Sequence, residues 1–189
     1  MTNSATHQEN RNIGELLNII GVFGICISLS IAFYYQIAKS ELPCPLCLLQ
    51  RVGMVMIGCG FLFNLFLGVR GTHYAIALVG SVVTGLISAR QVLLHILPGD
   101  AGYGSPLMGV HFYSWALISS LSSIIAIAMM LTASEKSWKI KLSIGAFWKK
   151  LVGGLFALLV FGNIISTVLE CGIGPCADDP TEYQLLKNQ

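Results

Sequence analysis

Cys44-Pro45-Leu46-Cys47-Leu48-Leu49-Gln50-Arg51 opens an apolar stretch that runs on to Leu67. A helix needs about 20 apolar residues to cross a bilayer. The octapeptide therefore sets a C-x-x-C dithiol at the mouth of a membrane helix, with an arginine one turn further in. Pro45 suits the first turn of that helix, where its missing N–H costs nothing. The dithiol then sits at a helix amino terminus, whose unpaired N–H groups favour a thiolate. A close-spaced dithiol stores two electrons as a disulfide, and the apolar helix behind it can hold a lipid-soluble partner. The combination points to redox chemistry at a membrane face.

The rest of the chain agrees with a membrane setting. Of its 189 residues 54% are hydrophobic and 11% charged, which excludes an ordinary soluble domain. Five apolar stretches are long enough to span: Leu16–Ile37, Leu48–Leu67, Tyr74–Leu97, Tyr113–Leu131 and Leu151–Leu169. The expected fold is an all-α polytopic membrane protein, a helical bundle of four core transmembrane helices plus a fifth. Along the chain this gives an N-terminal segment (1–14), a four-helix membrane core (15–131), a basic interfacial loop (132–150), the fifth span (151–169) and a cysteine-bearing tail (170–189). The first stretch is too long for an isolated signal-peptide core, and Tyr34-Tyr35-Gln36 stands where small residues would mark a cleavage site. It reads as a retained span.

Orientation follows from the basic residues. With the amino terminus cytoplasmic, inner segments hold Arg11, Arg70, Lys136, Lys139, Lys141, Lys149 and Lys150, and outer segments hold only Lys39 and Lys187. That is a positive-inside bias. It places the tail outside with its acidic Glu170, Asp178, Asp179 and Glu182. Within the inner loop, Ser137-Trp138-Lys139-Ile140-Lys141-Leu142, with Trp148 nearby, reads as an interfacial topology determinant. The basic residues belong to a short loop, so nucleic-acid binding has no support.

The same orientation sorts six cysteines. Cys44 and Cys47 lie at the outer end of span two, Cys171 and Cys176 beyond the outer end of span five, and Cys26 and Cys59 inside spans. The last two read as small buried hydrophobes. An external compartment is oxidising, so dithiols there persist as disulfides. A C-x-x-C ring is too small to restrain much of the unfolded chain, which makes it a poor staple. A zinc site on Cys44 and Cys47 needs two more ligands, and Cys171 and Cys176 are available for that role.

Arg51, four residues after Cys47, shares its helix face. A charge in a span costs on the order of 3 kcal/mol or more. Arg90 lies about 10 Å below the outer surface at 1.5 Å per residue, beside Gln91, with His95 at the mouth. Two intramembrane arginines with no acidic residue inside any span favour a bound electron-rich ligand. A quinone, which accepts two electrons, matches one disulfide; a lipid headgroup is the other candidate.

Cys44-Pro45-Leu46-Cys47 with Gln50-Arg51, and Arg90-Gln91-Val92 with Leu97-Pro98, resembles the bacterial disulfide bond formation protein B (DsbB) family over roughly residues 15–131. The resemblance implies an inner-membrane thiol:quinone oxidoreductase. Such an enzyme reoxidises a periplasmic thioredoxin-fold dithiol oxidase (DsbA-like) and passes electrons to ubiquinone or menaquinone. It further implies that Cys47 contacts the quinone ring, that Cys44 is its exchange partner and that Arg51 lies beside the quinone. Arg90 matches the usual span-three arginine, and His95 is a candidate without a secure counterpart.

One departure stands out. Members of the best-known type carry a second cysteine pair between spans three and four, where this chain has none. It has Cys171-Gly172-Ile173-Gly174-Pro175-Cys176 beyond a fifth span instead. The tail pair is expected to replace the loop pair, its Gly and Pro residues forming an accessible turn. Two other classes stay open: a metal-binding or transport protein with Cys44, Cys47, Cys171 and Cys176 as soft ligands, and a non-catalytic scaffold braced by disulfides.

Overall fold

In a computed structural model the backbone is described for residues 2–133 and 145–187 and the side chains for 14–132 and 145–186. The interfacial segment read from 137–142 lies outside the described residues. Among the described residues six helices follow in order: α1 (Thr2–Ala38), α2 (Pro45–Leu67), α3 (Gly71–Leu94), α4 (Phe112–Ala133), α5 (Ala146–Cys171) and the short α6 (Gln184–Lys187). Five are long and apolar enough to cross a membrane. The all-α bundle expected from the apolar stretches is the fold observed.

Chain punctuation explains the helix ends. Cys44 caps α2, its sulfur accepting from the Cys47 backbone N–H, with Pro45 in the first turn. The third span was expected to reach Leu97, but α3 stops at Leu94, and His95 closes it with a backbone bond to the Val92 carbonyl. Pro98 follows, and the residue before a proline is pushed out of helical geometry. The fifth span was expected to end at Leu169; α5 continues to Cys171 and ends on Gly172, whose N–H reaches the Val168 carbonyl at φ +61°. A side chain at that φ is strained, so glycine is what lets the chain turn back toward Cys176.

Helices α2 and α3 pack most closely. Gly53 and Gly60 of α2 lie against Gly80, Ala77 and Thr84 of α3, so close that a Cβ at Gly60 would collide with α3 backbone and one at Gly53 with the Thr84 hydroxyl. Small residues that let backbones approach are the usual way membrane helices gain dispersion contact. Val22, Leu29, Ile57, Phe61, Ile127 and Phe156 fill the centre. At one end Asn18, Asn64, Tyr74 and His73 satisfy one another by hydrogen bonds. At the other end lie Cys44, Gln91, Gln36, Ser166 and Tyr183, linked by hydrogen bonds across α1, α2, α3, α5 and the tail. Both cysteine pairs are at this second end.

Candidate redox site

Cys44 and Cys47 are joined as a disulfide across 5.0 Å between Cα atoms. Cys44 ends the α1–α2 connection and is buried, whereas Cys47 is half-buried and lines a cavity of about 160 Å³. The cavity lies between α1, α2, α4 and the α3–α4 connection. Gln50, Arg51, Met54, Tyr35 and Phe112 share its wall with Cys47. Leu107 and Tyr113 add further apolar and aromatic surface.

Arg51 is 9% exposed. Its Nη1 donates to Gln36 Oε1 at 2.8 Å and to Asn163 Oδ1 at 3.4 Å, and its Nη2 to the Ala32 carbonyl at 3.3 Å. The guanidinium also lies 5.5 Å from the centre of the Phe33 ring. Neutral acceptors on α1 and α5 thus hold the cation in place. It has five N–H donors in all, more than these three contacts use. Gln36 in turn donates to Ser166 Oγ at 2.6 Å and to the Tyr183 hydroxyl at 3.2 Å, carrying the network into the tail.

Glu170 corrects one sequence argument. It was counted outside the spans, yet it lies in α5 at 2% exposure, and neither carboxylate oxygen has a hydrogen-bond partner. Arg51 is the cation whose field it feels, but the two form no ion pair. The intramembrane arginine therefore does have an acidic residue in its surroundings.

The α3–α4 connection covers the mouth. Tyr103 donates to the Leu42 carbonyl at 2.7 Å, Ser105 N–H to Glu41 at 3.0 Å, and the Ser105 hydroxyl to the same carboxylate. Burial pushes the Tyr103 phenol up to about 12, with Asp179, Glu170 and Glu41 adding repulsion. Asp100 takes the Gly102 N–H at 2.7 Å and faces His95 Nδ1 at 3.0 Å. Those two bonds, the backbone one first, hold its carboxyl below the usual carboxylate range.

The expected site residues separate accordingly. Cys47 and Arg51 meet in the cavity and Cys44 adjoins it. Cys171 and Cys176 form a disulfide at the same end of the bundle, Cys171 buried on the last turn of α5 and Cys176 half-buried on the turn beyond. Arg90 is exposed on α3 and does not line the cavity. His95 is outside it too, but its ring stacks on Tyr113, which lines the wall; His111 stacks on the same tyrosine. Gln36, Asn163, Tyr113 and His111 escaped the sequence reading. Gln36 and Asn163 carried a signal, because amides inside apolar spans need partners and Arg51 was available.

Carbonyl oxygens of a planar ring need donors, and its faces need apolar walls. Arg51 and Gln50 supply donors, and Tyr35, Met54 and Phe112 supply walls, so the lining fits a quinone head group.

Residues 14–105 match the family model for disulfide bond formation protein DsbB. Proteins named disulfide bond formation protein B are similar to part of the chain. The one from Nitrosococcus oceani is 38% identical over 85 residues, covering 43% of this chain and 50% of its own. That from Hahella chejuensis is 36% identical over 97 residues, covering 48% and 55%. That from Pseudomonas syringae pv. tomato is 41% identical over 93 residues, covering 46% and 53%. The chain spans about half the length of the curated relatives it matches. No solved structure matches it significantly. The family match stops at residue 105, short of the 131 expected, so α4, α5 and the tail pair lie beyond it.

Proposed function

From the premise that residues 14–105 are a DsbB-like core, we propose that this chain is a membrane thiol:quinone oxidoreductase supporting disulfide bond formation. The observation that carries the reading is Cys47 opening into a donor-lined, aromatic-walled cavity while its disulfide partner Cys44 is turned away from it. A quinone bound there would accept the two electrons and two protons that the Cys44–Cys47 dithiol gives up on closing its disulfide. Arg51, held by Gln36 and Asn163, would present spare N–H donors to a carbonyl oxygen and offset thiolate charge on Cys47.

Upstream, the donor is a periplasmic protein dithiol of thioredoxin-fold type, and the tail pair is its point of contact. Cys176 is the more exposed sulfur of that pair. The donor's thiolate attacks Cys176, the Cys171–Cys176 bond breaks, and Cys171 leaves as a thiolate. The donor's second thiolate then displaces Cys176, so the donor becomes a disulfide and the tail pair a dithiol. A tail thiolate next attacks Cys44, expelling Cys47 as a thiolate into the cavity; the second tail thiolate completes the exchange. Cys44 is buried, so this step requires the residues around it to give way. The N-terminal segment and basic loop belong on the cytoplasmic side of the inner membrane and the tail on the periplasmic side, as the positive-inside count argues.

A soft-metal site on the four cysteines requires all four as thiolates in one cluster, and each pair is here closed on itself. The test is quinone reduction by the purified protein, driven by a reduced thioredoxin-fold dithiol, comparing wild type with Cys171→Ser/Cys176→Ser. Turnover that collapses in the double variant supports both enzyme class and tail relay. Turnover that survives removes the relay, and none in wild type with quinone bound removes the enzyme.

A further inference from the structure

Gln91 is 2% exposed and its carboxamide faces the Cys44–Cys47 disulfide. Its Nε2 lies 3.3 Å from Cys44 Sγ and 3.7 Å from Cys47 Sγ, so one primary amide offers an N–H to each sulfur. Its Oε1 accepts from Gln50 Nε2 at 2.8 Å, and Gln50 is itself only 4% exposed. That second bond fixes which end of the amide meets the sulfurs. Turned over, Gln91 would set its oxygen against sulfur lone pairs and its nitrogen against another N–H. Gln50 stands one residue before Arg51 on the cavity wall, while Gln91 stands on the facing helix, α3. Gln91 has no part in the proposed cycle.

We propose that Gln91, oriented by Gln50, is a catalytic residue that sets the reduction potential of the Cys44–Cys47 couple. A disulfide sulfur is a weak acceptor and a thiolate a strong one, so the same two N–H groups stabilise the reduced pair more than the oxidised pair. Cys44 is buried away from water, which would otherwise supply this stabilisation. The helix amino terminus assists from the other side through the Cys47 N–H, at 3.1 Å from Cys44 Sγ. Gln91 therefore makes the couple a better oxidant of an incoming dithiol. It keeps hold of both sulfurs after the bond between them has opened.

The inference rests on Cys44–Cys47 being redox-active, and one experiment separates the two. In purified Cys171→Ser/Cys176→Ser protein, Cys44–Cys47 is the remaining disulfide-bonded pair. It is equilibrated with dithiothreitol buffers and its thiols are trapped with a maleimide. In this exchange the Cys44–Cys47 bond takes two electrons and two protons from dithiothreitol, whose sulfurs join. Gln91→Met, which keeps length and loses both donors, is expected to shift the midpoint about tenfold toward the disulfide, about 30 mV for a two-electron couple. Gln50→Met is expected to shift it in the same direction by less, because Gln91 stays but loses its orientation. Midpoints at the wild-type position in both variants, with unchanged thermal unfolding, would reduce Gln91 to packing. A Cys44–Cys47 pair that cannot be reduced even with wild-type glutamines would remove the redox reading, and this inference with it.

Discussion

Two disulfides sit at one end of this bundle in opposite surroundings. Cys44–Cys47 is clamped: a helix N-cap holds one sulfur, Gln91 faces both, and Cys47 lines a donor-lined, aromatic-walled cavity. Cys171–Cys176 is hinged on Gly172 and bridges the last turn of α5 to a surface loop whose Ile173 is fully exposed. Under the proposed function, Cys44–Cys47 would hold electrons for a membrane-soluble acceptor and Cys171–Cys176 would meet a protein. The difference teaches a division of labour that the cysteine count alone does not contain.

The largest effect that would break this division is expected at Cys47. Cys47→Ser should abolish dithiol-driven quinone reduction, while Cys26→Ser and Cys59→Ser, both remote from the cavity wall, should leave steady-state rates nearly unchanged. Loss of turnover in either of those two, at normal expression, would contradict the assignment of Cys44–Cys47 as the acceptor-facing pair.

Next comes the polarity of the outer pair. A dithiol donor with its second cysteine replaced should be trapped on wild-type protein as a mixed disulfide, and peptide mapping after an acid quench should locate it at Cys176. Cys171 is only 5% exposed, so linkage there would mean that the α5 end opens before the donor arrives. That outcome would reverse the polarity argued above.

The two arginines sharpen the comparison further. Arg51→Ala should raise the half-saturating quinone concentration about 10- to 100-fold, since a hydrogen bond to a charged group is worth about 1.5–3 kcal/mol. Arg90→Ala, at an exposed α3 position, should change it less than about twofold, within the range of surface substitutions. Quinone titrations of initial rate check both, and equal effects would place Arg90 at the ligand after all.

Much of this was legible in the chain. Five apolar runs announced the helices, and the Cys44–Arg51 element pointed to the residues now found at the cavity, because span length and C-x-x-C at a helix start are local signals. What escaped is what depends on which helices touch. Gln36, Asn163 and Gln91 are unremarkable amides until α1, α5 and α3 bring them to Arg51 and the sulfurs. Arg51 and Arg90 looked equivalent by depth, yet depth says nothing about rotation about a helix axis. Glu170 was misplaced by a two-residue error at a helix end, which sufficed to move it from a solvated tail into a buried position.

The smallest predicted effect asks whether the outer pair stays beside the inner one. Tyr103 covers the mouth, and after burial the tail's Asp179 is the charge that most opposes its ionisation. A phenol raised from its ordinary value near 10 to about 12 keeps its proton in the folded state. The stability it contributes is complete below pH about 10 and is lost as pH rises toward 12. Thermal unfolding of wild type should therefore fall more steeply over that window than that of Tyr103→Phe. Asp179→Asn should bring the Tyr103 transition, followed by phenolate absorbance as a difference against Tyr103→Phe, back toward the ordinary range. A transition that ignores Asp179 would mean that the tail does not rest against the mouth, and the proposed exchange between the two disulfides would lose support.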